Sequence, residues 1–165
     1  MAEAQGPGTA WLAYALLTVA AWGLYGVFLH TGQAGMADPA HGRMKAFLFV
    51  GVAYFLTAVL APLALLAARG AGWDFPARGA LWSLAAGVVG AVGAVCVLLA
   101  FGAKGSPSVV MSIVFAGAPV VNAAVALGLH PPAGGLGALR WQFVAGILLA
   151  AAGGCLVTLF RPGAP

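Results

Sequence analysis

Acidic side chains are almost missing from this sequence: Glu3, Asp38 and Asp74 are the only three, and none lies inside a long apolar run. A proton path through a buried carboxylate, or a membrane-embedded acid paired with a cationic solute, is therefore disfavoured. Charge of either sign is scarce, at 6% of 165 residues, while 63% are hydrophobic. Soluble domains run at about a quarter charged, so this chain has too few charges to cover a water-soluble fold.

Other absences narrow the field further. Met1 to Thr9 contains no Lys or Arg and so lacks the basic start of a removable signal peptide; the first apolar run is expected to be retained. Cys96 and Cys155, the only two cysteines, fall near the middle of apolar runs, where a thiol acts as a small packing residue rather than half of a disulfide. His30, His41 and His130 have no metal-ligand spacing and read as ordinary helix-end or loop histidines. No nucleophile stands beside a base, and there is no phosphate loop or zinc motif, so nothing supports an enzyme and no cofactor or metal is expected. The formal net charge of +4 comes from residues scattered among short loops. That pattern suits a membrane surface and offers no stripe for nucleic acid.

What the chain has is long apolar sequence. A transmembrane helix needs roughly 20 such residues, and five stretches reach that length between breaks: about 11–29, 47–68, 80–101, 109–129 and 143–160. The breaks carry turn chemistry, as in Asp38-Pro39, Arg69-Gly70 through Pro76, Lys104-Gly105-Ser106-Pro107, and Pro131-Pro132 before Gly134-Gly135. Every Lys and Arg falls outside these predicted spans, and Trp73 and Trp141 fall where interfacial aromatics are expected. The expected fold is all-α and integral to the membrane, one domain over residues 1–165 forming a bundle of five transmembrane helices. With the amino terminus inside, Arg69, Arg78 and Arg140 face Arg43, Lys45, Lys104 and Arg161 across the membrane. That near-balance gives the positive-inside rule nothing to act on.

Helical periodicity marks the faces that carry candidate function. At 100° per residue, Trp11, Tyr14, Thr18, Trp22 and Tyr25 share an arc of about 80° on the first helix. Interfacial anchoring explains Trp11 and Tyr14, whereas the deeper polar tips of Trp22 and Tyr25 require partners or a wet cavity. On the fourth helix Ser108, Ser112, Phe115, Pro119 and Asn122 share a similar arc of about 80°. Pro119 marks a helix kink that frees a backbone carbonyl, one turn before Asn122. Two readings fit: Ser112 bonds its own backbone and Asn122 joins two helices, or both line a solute path of the kind built from interrupted helices. On the third helix Ser83, Gly87, Gly90 and Ala94 make a small-residue strip suited to close packing. The second contributes Tyr54 and Thr57, with Pro62 as a further kink site.

From the third helix onward the chain resembles the EamA-type repeat of the drug/metabolite transporter superfamily. The residues are Gly87-Val88-Val89-Gly90-Ala91-Val92-Gly93, Ala100-Phe101-Gly102-Ala103-Lys104-Gly105 leading to Pro107-Ser108-Val109-Val110, and Ala118-Pro119-Val120-Val121. Trp141-Gln142-Phe143-Val144-Ala145-Gly146-Ile147-Leu148-Leu149 and Gly153-Gly154 follow, and Trp22-Gly23 looks like the family's early Trp-Gly pair. The sequence departs from the pattern where an acid is common after the fourth helix, having Gly128-Leu129-His130-Pro131-Pro132 instead. Proteins of that superfamily commonly carry two repeats in opposite orientations, with the solute path between them; this chain has one.

The resemblance implies transport of a small organic solute that is neutral, zwitterionic or aromatic, most simply by facilitated export. With it go the plasma (inner) membrane of a bacterium, contact with membrane lipid, and a homodimer or a pairing with a second single-repeat chain. The expected solute-binding residues are Trp22, Tyr25, Tyr54, Ser112 and Asn122. Two other functions fit the same sequence: a non-transporting accessory or scaffold protein, and a flippase of a lipid-linked substrate.

Overall fold

The computed structural model describes residues 9–161. Among them are no strands and five helices long and apolar enough to cross a membrane: α1 (Ala10–Gly35), α2 (Gly42–Ala68), α3 (Ala77–Gly102), α4 (Pro107–Leu129) and α5 (Trp141–Leu159). The protein is an all-α, multi-pass integral membrane protein. Its exposed surface fits that setting, since Trp11, Leu16, Phe49, Val89 and Leu149 stand outward on their helices, where lipid rather than water is their natural neighbour.

The expected helices are all present, with longer ends. α1 runs past Leu29 to Gly35, taking in His30 and Gln33, and α2 begins at Gly42, so Arg43 and Lys45 are helical. Arg78 is likewise in the first turn of α3. The basic residues lie outside the expected spans, but the helices continue past those spans and take in Arg43, Lys45 and Arg78. Polar residues end the hydrocarbon-crossing part of a helix, but its hydrogen bonding continues into the interface until turn chemistry stops it. For α1 that stop is Ala37, held at φ 51°, followed by Asp38 and Pro39.

α2 contains a π turn at Leu56–Leu60, just ahead of Pro62. The Pro62 ring donates no hydrogen bond and crowds the carbonyl of the preceding turn, and a widened turn accommodates both effects. Pro119, by contrast, lies within α4 without ending it. Residues 103–106 separate α3 from α4, with Lys104 at φ 68° closing the first and Pro107 opening the second.

Contacts gather in two units, Met1–Ala103 and Lys104–Pro165. In the first, α1, α2 and α3 pack pairwise. Its buried apolar side chains, Leu29, Ala46, Ala94, Val97, Leu98 and Phe101, come from the end of α1, the start of α2 and the end of α3. Antiparallel succession brings those three ends to one side of the membrane. Of the small-residue strip on α3 only Ala94 is buried; Ser83, Gly87 and Gly90 are exposed.

In the second unit α4 and α5 form a hairpin. Gly154 is buried in it, and a side chain there would run into the Ala116 methyl and lie 3.5 Å from the Ser112 carbonyl. Small residues let two helices approach closely where lipid supplies no hydrophobic drive.

Candidate functional site

The aromatic stripe of α1 leads into a cleft against α2. Trp22 and Tyr25, one turn apart, bring their ring centroids to 5.7 Å. Tyr25 then lines a cleft of about 530 Å³ together with Leu24, Phe28 and Leu29 of α1 and Phe49 and Val50 of α2. A smaller cavity of about 220 Å³ is lined by Tyr25, Val50, Ala53, Tyr54 and Thr57. Three expected site residues thus come together: Tyr25 and Tyr54 share a cavity, and Trp22 rests on Tyr25.

The polar groups of this cleft are few. Thr57, which lines the smaller cavity, donates its hydroxyl to the carbonyl of Ala53 at 2.8 Å within its own helix. The Tyr25 hydroxyl differs: it is buried and has no hydrogen-bond partner. An apolar, ring-lined cleft of several hundred Å³ is the usual form of a small-molecule site.

In the α4–α5 unit the Ser112 hydroxyl donates to the Ser108 carbonyl at 2.6 Å. Asn122 is exposed on α4. A groove of about 480 Å³ between α4 and α5 is lined by Ile113, Ala116, Gly117, Ala151, Gly154 and neighbours towards Leu159, and neither Ser112 nor Asn122 is among its lining residues.

A second, polar pocket of about 410 Å³ lies where the packed ends of α1, α2 and α3 meet, lined by His30, Gln33, Asp38, Arg43, Phe101 and Gly102, with Ala34, Ala37 and Pro39. None of its side chains was among the expected site residues. The signal for Gln33 was available, because it continues the Tyr25–Leu29 face of α1 by one more turn; ending the helix at Leu29 hid it. Arg43 and Gly102 are distant in sequence, and only the packed fold brings them together.

Asp38 organises the rim of this pocket. Its Oδ1 accepts the backbone N–H groups of Ala40 (3.0 Å) and His41 (2.9 Å), and its Oδ2 accepts from Lys45 Nζ at 2.7 Å. The Lys45 bond, then the His41 N–H, hold its pKa below the usual carboxylate value. A depressed folded-state pKa contributes stability above the unfolded value, and that contribution is lost as pH falls through the folded one. The melting temperature of purified protein should therefore fall as pH drops below about 4. The same titration should be flatter in Asp38→Asn; parallel curves for the two proteins would rule out this role.

Comparison with models of known families, with curated proteins and with solved structures found no match, so the functional reading stands on the chain's own residues.

Proposed function

We propose that this membrane protein is a transporter of a small organic solute, neutral, zwitterionic or aromatic, and a single-repeat member of the drug/metabolite transporter superfamily in a bacterial plasma membrane. The observation that carries the reading is the α1–α2 cleft, where rings flank one buried, unpartnered Tyr25 hydroxyl. The rings receive the apolar body of the solute and the hydroxyl fixes its orientation. Trp22 and Tyr54 extend the aromatic wall within the same unit. Among the described residues no acid lies within a spanning helix, so movement down a gradient is the simplest mechanism. The test is a melting-temperature screen of purified protein against aromatic and zwitterionic compounds. A saturable rise with a defined compound class supports the reading, and a flat response across the panel counts against it.

The working unit in this proposal is a dimer, because one repeat supplies half of a path that superfamily members build from two. The balanced basic residues suit an antiparallel homodimer whose two copies insert in opposite senses. A single introduced cysteine near either end of the chain, in a Cys96→Ser/Cys155→Ser background, should be labelled from both sides of the membrane. Labelling from one side alone would exclude the antiparallel homodimer and leave a second chain as partner.

A further inference from the structure

The polar pocket at the packed end of α1, α2 and α3 shares no lining residue with the α1–α2 cleft. Its charges do not cancel. Asp38 is matched by Lys45 and two backbone N–H donors, with His41 Nδ1 a further 3.6 Å away, which leaves that carboxylate little capacity for another cation. Arg43 has no such match. Both ion pairs among the described residues belong to Asp38, and none of their side-chain hydrogen bonds involves the Arg43 guanidinium.

The Arg43 side chain lies across Gly102, the last residue of α3. A Cβ at Gly102 would collide with the guanidinium and come within 2.6 Å of the Arg43 Cδ, so the absent side chain is what admits the arginine. Gln33, also on the lining, has its amide oxygen buried without a partner; an oxyanion accepts hydrogen bonds, so Gln33 serves one with its amide turned to present the NH2 group. His30 is fixed beside them by an edge-on contact with Phe101, ring centroids 5.5 Å apart.

We propose that this pocket binds an oxyanion, a carboxylate or a phosphate group, with Arg43 as the charged fork and Gln33 and His30 as flanking hydrogen-bond partners. A guanidinium presents paired N–H donors that match two oxygens of such a group, and the unpaired positive charge selects an anion over a cation. At the end of three membrane helices the oxyanion comes from a soluble compound or from a lipid headgroup. The site does not rest on the transport reading.

The test uses the full chain, purified in neutral detergent, with chloride replaced by inorganic phosphate or by benzoate at fixed ionic strength. A parallel arm uses nanodiscs of phosphatidylcholine with and without phosphatidylglycerol. At least one of the three probes should raise the melting temperature saturably, by about 3 °C or more. The rise should vanish in Arg43→Gln and persist in Arg161→Gln, which removes a basic residue outside the pocket. A response to phosphate or benzoate assigns a soluble ligand, and a response to phosphatidylglycerol alone assigns a headgroup. Should Arg43→Gln not fold, Arg43→Lys gives the reading, since a charge without the fork should bind about tenfold more weakly. No rise with any probe, or an undiminished affinity in the Arg43 variant, overturns the proposal.

Discussion

Replacing Gly154 by leucine should destabilise the α4–α5 hairpin by about 2 kcal/mol or more, the cost of forcing bulk into a filled helix contact. The Ala116 methyl already occupies the space a Gly154 side chain would need, with the Ser112 carbonyl behind it. The adjacent Gly153 provides the control, because a Cβ there meets nothing within 4 Å. Gly153→Leu should leave stability unchanged or slightly raised, as glycine is a poor helix residue. Thermal melting of both variants in the same detergent decides the point. Equal losses would show that the hairpin does not use this contact, and the distinction between two neighbouring glycines would collapse.

Tyr25→Phe should separate stability from function. A buried hydroxyl without a partner costs about 1–3 kcal/mol, so the solute-free variant should melt higher than the parent by a few degrees. The same hydroxyl is the orienting group of the proposed cleft, and its loss should weaken solute binding by about tenfold, the worth of one hydrogen bond. Tyr54→Phe should weaken binding with little gain in melting temperature, because the Tyr54 ring is about half exposed, at 48%. A Tyr25→Phe variant that melts lower and binds equally well would mean that the hydroxyl has a partner within the protein and no part in recognition.

Much of the architecture was legible because a membrane leaves few solutions. Apolar runs long enough to span, separated by Pro and Gly, dictate helices, and all five appear with their order and number intact. The ends were less legible. His30, Gln33, Arg43 and Lys45 are polar, and polarity marks where a helix leaves hydrocarbon, not where it stops; the chain stops α1 at the left-handed Ala37 and starts α2 after the Asp38 turn. The α1 stripe correctly joined Trp22 to Tyr25 by periodicity, and their ring contact follows from adjacent turns.

Tertiary proximity was not legible in the same way. Nothing local to Arg43 announces Gly102, since the reason for that glycine lies on another helix. Ser112 carries a polar group on the right arc of α4, yet a serine in a helix reaches its own backbone four residues back, and here it does. The strip of Ser83, Gly87 and Gly90 allows close approach, but α1 and α2 use only its far end at Ala94.

The central claim, that the chain moves a solute through the Tyr25 cleft, meets its most direct test in flux across sealed proteoliposomes. The compound class that stabilises the purified protein should enter vesicles loaded with unlabelled compound, faster than into protein-free vesicles. Flux should saturate with concentration and fall by about tenfold in Tyr25→Phe. Entry no faster than in protein-free vesicles, for a compound that demonstrably binds, would contradict transport and leave a membrane protein that holds a ligand without moving it.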